Sequence, residues 1–154
     1  MIPLSDTPLP VPSGLADLLQ DPGVLRQAWA KDAACRNTSY NYLPDEGEPP
    51  PDALRLCAVC PVASQCLATA LLHEHACGLR DGWWGGLAPS ERDTVWGSLN
   101  PAPGALPTPT QMEEEDPIRR ALAMRTRGYT VAAMAVELGC TKRTVYRYLA
   151  AAAA

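Results

Sequence analysis

Apolar residues recur at short, helix-like spacings in the first half of the chain. Two such segments, residues 15–19 and 24–29, flank a helix-breaking Asp-Pro-Gly at 21–23. Residues 62–75 form an unbroken run of good helix formers, and Gly78 is placed to end it. The pattern predicts helices separated by short breaks.

Between these segments, the polar and proline-rich residues 37–51 predict a long irregular loop. Asp52 then predicts the N-cap of a short helix reaching Leu56.

The last forty residues carry a second helical pattern. Residues 117–127, 131–138 and 142–150 predict three helices, with Thr130 and Thr141 as N-caps of the second and third. Their apolar positions predict one small core, in which Ala135 and Gly139 would allow two helices to cross closely. These core positions are Leu122, Val131, Met134, Ala135, Leu138, Cys140, Val145, Tyr148 and Leu149. The predicted fold class is therefore all-α.

Composition and charge divide the chain between these two patterns. Residues 100–116 are rich in proline and end in Glu-Glu-Glu-Asp, which predicts an extended, charged linker. Residues 1–100 hold six Lys/Arg against twelve Asp/Glu, a net charge of −6, whereas residues 117–154 hold seven against one, a net charge of +6. An acidic module joined to a basic one implies two different partners.

Four cysteines give the acidic module its chemistry. Cys35 is followed by Cys57, Cys60 and Cys66 in a C-x2-C-x5-C arrangement, and such thiolates can converge on one inorganic centre. Spacing alone leaves zinc and an iron-sulfur cluster equally open, with redox or structural cysteines as a smaller alternative. Cys77 and Cys140 lie outside the pattern and are expected to be apolar packing residues.

The cysteine module resembles the WhiB-like proteins of actinobacteria and their phages. The resemblance rests on Trp29, the Ala-Ala-Cys-Arg run at 33–36, the Cys-Ala-Val-Cys-Pro-Val run at 57–62, the Gly-Trp-Trp-Gly-Gly turn at 82–86, and Glu91-Arg92. It implies a 4Fe-4S cluster held by Cys35, Cys57, Cys60 and Cys66 in a small helical module that senses redox change or nitric oxide. It also implies that the turn with Trp83, Trp84, Gly85 and Gly86 docks onto region 4 of the principal sigma factor of RNA polymerase.

The basic module resembles the helix-turn-helix of resolvases, invertases and transposases over residues 128–149. This resemblance implies that the third helix enters the major groove of double-stranded DNA. Bases or phosphates would be contacted by Lys142, Arg143, Tyr146 and Arg147, and the DNA backbone by Arg119 and Arg120. The expected domain order is a variable segment 1–23, a cluster domain 24–99, a linker 100–116, a helix-turn-helix 117–150 and a tail 151–154.

Together these features predict a cytoplasmic, non-enzymatic transcription regulator. No run of about eighteen apolar residues is present to span a membrane. Four prolines at positions 3, 8, 10 and 12, and the absence of a basic n-region, speak against a signal peptide. Two alternatives stay open: a zinc-stabilised DNA-binding regulator, and a thiol-disulfide oxidoreductase using Cys57 and Cys60, which lacks the expected βαβ pattern.

Overall fold

The computed structural model describes residues 11–42, 47–78, 80–102 and 104–153. Within these ranges the prediction of an all-α fold is confirmed, since the only extended pairing is a bridge between Trp84 and Leu87. Residues 1–10 of the predicted N-terminal segment, and residue 154 of the predicted tail, lie outside the described ranges. The helices, in chain order, are α1 (Leu15–Gln20), α2 (Pro51–Ala58), α3 (Ala63–Cys77), α4 (Pro89–Leu99), α5 (Pro109–Glu115), α6 (Pro117–Thr126), α7 (Val131–Glu137) and α8 (Lys142–Ala152), with 3₁₀ turns at Pro22–Arg26 and Ala28–Asp32.

The core of the first module is built around α3. Leu67, Leu71 and Leu72 on this helix are almost completely buried, and they share one apolar cluster with Leu15 and Leu19 of α1. The predicted boundary at residue 24 therefore cuts through a packed core. A helix as short as α1 is stable because it buries two leucines on α3, and not through its intrinsic helical propensity.

The ends of the helices agree with the sequence in one place and differ in another. Gly78 ends α3 with φ = +72°, a left-handed conformation that glycine adopts without strain. Asp52 does not cap α2: the helix begins one residue earlier, at Pro51, so Asp52 lies in its first turn. Proline suits the first helical position because the missing N–H has no acceptor there.

The segment predicted to be an extended linker contains α5. Thr108 caps this helix by accepting a hydrogen bond from the amide of Gln111, whose side chain in turn accepts from the amide of Thr108. Met112 on α5 is 9% exposed and belongs to the core of the first module, with Leu106 packed beside it. Residues 106–115 are therefore part of the folded structure, because two apolar side chains anchor an otherwise polar stretch.

The three predicted C-terminal helices are present as α6, α7 and α8. Thr130 and Thr141 cap α7 and α8, accepting hydrogen bonds from the amides of Ala133 and Thr144, as predicted. The predicted core is wrong at one position: Leu122 is 45% exposed. On α6 the inward positions are taken by residues one before and two after it, and the buried cluster comprises Ala121, Met124, Met134, Ala135, Leu138 and Val145.

Within the described residues, no single helix is long and apolar enough to cross a membrane, and α2 and α3 reach the required length and composition only as a pair bent by 104°.

Candidate functional site

Four cysteines of the first module border one large cavity. Cys35 follows the second 3₁₀ turn, Cys57 lies in the last turn of α2, Cys60 lies in the connection to α3, and Cys66 lies in the first turns of α3. All four line a cavity of about 1210 Å³, and all four are partly buried. The structure therefore brings together the four sequence-predicted ligands, although Cys35 is 22 residues from the next of them in the chain.

Backbone amides point at the sulfur atoms of these cysteines. The amide of Gly85 donates to Sγ of Cys66 across 3.3 Å, and the amide of Ala34 donates to Sγ of Cys60 across 3.5 Å. The amide of Gly86 is a hydrogen-bond partner of Cys57. Such N–H donors stabilise negative charge on sulfur, which favours the thiolate form that a metal requires.

The glycines of the turn are required by close packing. A Cβ on Gly85 would lie 2.9 Å from the carbonyl oxygen of Ala63 and 3.0 Å from Cβ of Leu67, and a Cβ on Gly86 would lie 3.1 Å from Cβ of Cys57. Both glycines have positive φ, +60° and +82°. The turn can thus approach the start of α3 closely enough for its amides to reach sulfur, which a side chain would prevent.

A buried arginine holds this turn in place. Arg92 on α4 is 0% exposed, and its guanidinium donates to the carbonyl oxygens of Asp81, Gly82 and Leu87 at 2.8–3.0 Å. It also pairs with the carboxylate of Glu74 on α3, which is 7% exposed. Because the guanidinium contacts backbone on both sides of the tryptophans, it links the turn to both α3 and α4.

Burial affects the acidity of the cysteines. It raises the pKa of the Cys66 thiol to about 11, with the Gly85 amide acting in the opposite direction. Burial likewise raises the pKa of Cys35 and of Cys57. A metal that binds here must therefore displace protons from thiols that hold them more tightly than usual.

The donor set suits a metal centre with sulfur ligands. Zinc requires its sulfur ligands to converge at about 2.3 Å from one point, and an iron-sulfur cluster is likewise held by cysteine thiolates. Among the described residues, no three His, Cys, Asp or Glu side chains converge closely enough to hold a single metal ion. Four thiols around a shared cavity, with amide donors directed at sulfur, are compatible with either group in their chemistry.

The two tryptophans of the turn are only partly exposed. Trp83 and Trp84 are both half-buried, and both line the cavity. The amide of Trp83 donates to the carbonyl of Tyr42, while Trp84 and Leu87 exchange two backbone hydrogen bonds. Each ring therefore has an inward structural face, and only the remaining part is available to a partner.

The predicted DNA contacts divide into three groups. Lys142, Arg143, Tyr146 and Arg147 on α8 are all exposed, and Arg143 and Arg147 also border the cavity that the cysteines line. Arg119 is exposed and pairs with Glu113. Arg120 is partly buried, and its Nη1 atom has no hydrogen-bond partner.

Comparison with known proteins identifies the family of the first module. The family described as "Transcription factor WhiB" matches residues 29–95. A "Transcriptional regulator WhiB" of Streptomyces coelicolor is 34% identical over 76 residues, which cover 49% of this chain and 83% of that protein. The chain belongs to the WhiB family. A "Transcriptional regulator WhiB2" of Bifidobacterium longum is 38% identical over 66 residues, of which this chain spans 63% of the relative's length.

The second module has its own match. The family described as "Helix-turn-helix domain of resolvase" matches residues 109–152, a range that includes α5 as well as α6 to α8. No solved structure matches the chain significantly. The relatives are named transcriptional regulators, which agrees with the predicted non-enzymatic role.

Sequence reasoning missed two features of this WhiB-family site. Arg92 belongs to a sequence motif, but a single arginine in a helix gives no sign that it is buried against a glutamate 18 residues earlier. Cys140 was expected to pack only within the helix-turn-helix. It does contact that core, but it also lines the cavity shared with the four cysteines.

Proposed function

We propose that this chain is a transcription regulator that holds a 4Fe-4S cluster on Cys35, Cys57, Cys60 and Cys66 and reads duplex DNA with α8. The observation that carries the proposal is the common cavity of the four cysteines, with amides of Ala34, Gly85 and Gly86 hydrogen-bonded to their sulfurs. Family membership supports the same reading.

The protein's own groups would set the properties of such a site. When bound, the cluster would supply a centre sensitive to oxidation and nitric oxide. Amide donors at Cys57, Cys60 and Cys66 would lower the basicity of the sulfurs, and the surrounding Trp29, Trp83 and Trp84 would limit access of water. Cys35 lies 22 residues before the next ligand in the chain, so its release would detach the residues after the second 3₁₀ turn from the other three cysteines.

The ligand set is tested by iron and sulfide analysis of anaerobically purified protein. We expect a brown protein with about four irons and four sulfides per chain. Cys35→Ser, Cys57→Ser, Cys60→Ser or Cys66→Ser should each abolish this, because a cluster of this type needs four thiolates. Cys77→Ser is the matched control, since Cys77 is exposed at the end of α3 and does not line the cavity. Stoichiometric zinc without acid-labile sulfide would overturn the proposal.

The proposed protein partner is region 4 of the principal sigma factor, docked over the Gly82–Gly86 turn. The support is the family resemblance, the net charge of −6 on residues 1–100, and the partial exposure of two tryptophans, a residue type enriched at binding hot spots. A surface of this sign suits a basic DNA-binding domain.

For this partner, Trp84→Ala should weaken binding of the cluster-loaded full chain to a purified sigma region 4 by about 2 kcal/mol or more. Trp96→Ala serves as control, because Trp96 is also half-buried but lies on α4 against His75, away from the cavity. Equal losses in the two variants, measured by calorimetry, would reduce the turn to a structural element.

A further inference from the structure

The helix-turn-helix forms one wall of the cysteine cavity. Besides the four cysteines, this cavity is lined by Thr141, Arg143, Thr144, Arg147 and Tyr148, all at or within α8. Residues 143, 144, 147 and 148 are spaced three and four apart, so they share one side of the helix. That side carries two of the four residues expected to contact bases or phosphates.

One contact at the edge of the cavity holds the two modules against each other. Gly139, in the turn before α8, approaches Ala28 of the first module so closely that a Cβ on Gly139 would lie 3.2 Å from the Cβ of Ala28. Gly139 is predicted to allow the close crossing of α7 and α8, but its lack of a side chain instead allows this contact between the modules.

An ion pair within the first module fixes α5, the helix that precedes the helix-turn-helix. Arg26 in the first 3₁₀ turn donates twice to the carboxylate of Glu115, the last residue of α5, once across 2.9 Å from Nη2 to Oε1. A bidentate arginine-carboxylate pair fixes orientation as well as distance. The pair therefore fixes the point from which the helix-turn-helix leaves the first module, while Gly139 against Ala28 is the contact between the modules themselves.

This arrangement conflicts with DNA binding. A recognition helix must insert its contacting side into a major groove about 12 Å wide. Arg143 and Arg147 are exposed, but the cavity that they border is walled on its other side by Ala30, Cys35 and Trp84, so a duplex seated on this side of α8 would meet the first module. We propose that the cysteine module and duplex DNA compete for the same side of α8, so that the chain as folded here holds its own DNA-reading helix back.

This inference rests on the proposed function, because it assumes that α8 reads DNA. It also gives the cavity an electrostatic consequence. Four thiolates on a 4Fe-4S core carry a net charge of about −2, and Arg36, Arg143 and Arg147 all line the same cavity. Loading the site would strengthen the attraction between the modules, and by linkage DNA binding would weaken retention of the cluster by the same factor.

The test opens the contact without altering any proposed DNA-contacting residue or cluster ligand. In the full-length, cluster-loaded chain, Ala28→Trp places a large side chain where Gly139 approaches. Ala16→Trp is the matched control, because Ala16 is an exposed alanine on α1 of the same module. A second opening variant, Glu115→Gln, acts indirectly by removing the ion pair that fixes α5 before the helix-turn-helix, and Glu114→Gln makes the same charge change at an exposed position of α5.

Two readouts are taken on each protein. Amide hydrogen exchange over residues 139–148 should be faster in Ala28→Trp and Glu115→Gln than in the wild type and the controls. Binding of a fluorescent mixed-sequence duplex in low salt should be about tenfold tighter in Ala28→Trp, which corresponds to about 1.4 kcal/mol. Glu115→Gln should shift affinity in the same direction relative to Glu114→Gln.

The outcomes separate this inference from the proposed function. Faster exchange without tighter DNA binding, or unchanged exchange in both opening variants, would overturn the competition while leaving DNA binding intact. If no form of the chain binds the duplex, the DNA-reading role of α8 fails, and the competition fails with it. Retention of iron and sulfide in all variants shows that the cluster ligands are unaffected.

Discussion

The two modules are stabilised in different ways. The helix-turn-helix is held by a cluster of six buried apolar residues and two threonine caps, all within residues 121–145. The cysteine module also has an apolar core, but the wall of its cavity depends on a buried ion pair, glycine turns and amides directed at sulfur. The first kind of structure depends on local spacing, whereas the second depends on contacts between residues far apart in the sequence.

The largest expected effect on the first module comes from replacing Arg92. Arg92→Ala leaves the buried Glu74 carboxylate without its main partner and frees three carbonyl groups of the turn, so the free energy of unfolding should fall by about 3–5 kcal/mol. All four tryptophans, at 29, 83, 84 and 96, lie in the first module, so a denaturant titration followed by tryptophan fluorescence reports this module alone. Arg55→Ala should cost less than about 1 kcal/mol, because Arg55 and its partner Asp52 are both exposed. Equal effects of the two substitutions would refute the part assigned to Arg92.

The converse change is made in the helix-turn-helix. Met134 is 1% exposed within the second core, so Met134→Ala should cost about 2–5 kcal/mol through lost packing and a cavity. The unfolding transition seen by circular dichroism should split, while tryptophan fluorescence and iron content stay as in the wild type. Val136→Ala, at a position 83% exposed on the same helix, should change stability by less than about 0.5 kcal/mol. A matching loss in the fluorescence transition would mean that the modules unfold as one unit.

A smaller effect separates backbone strain from crowding at the cysteines. Gly78 and Gly86 both have positive φ, so an alanine at either should cost about 1–2 kcal/mol. Nothing lies near a Cβ at Gly78, but one at Gly86 would press on Cys57. We therefore expect Gly86→Ala, and not Gly78→Ala, to retain less iron after anaerobic gel filtration. Similar iron retention in both would show that the close approach of Gly86 is unimportant for the site.

Regular local patterns are what could be predicted from the sequence. The caps at Thr130 and Thr141, the C-terminal Gly78, and the closeness of Cys57, Cys60 and Cys66 follow from short-range chemistry, and the structure agrees with them. The prediction from apolar spacing fails at Leu122, because the smaller Ala121 and the more flexible Met124 occupy the core positions of α6 instead.

What could not be predicted depends on partners that are distant in sequence. Met112 is one apolar residue in an acidic, proline-rich stretch, and only the first module's core explains its burial. The burial of Arg92 is equally non-local, since its hydrogen-bond partners are Glu74 and carbonyl groups of a turn. The position of α8 over the cavity depends on Gly139 meeting Ala28, a contact 111 residues apart that no spacing rule contains.

The ordering of α5 has a geometric consequence for the DNA. Because α5 is anchored to the first module by Met112, and α6 begins at Pro117, a single residue, Asp116, joins the two bodies. A helix-turn-helix released from the cavity would therefore swing on a short pivot rather than drift on a long tether. If the first module were fixed to polymerase at a promoter, α8 could reach only a narrow arc of the duplex, and moving its site by half a helical turn, about 5 base pairs, would place it on the wrong side of the DNA. Regulation would then depend on helical phase as well as on sequence.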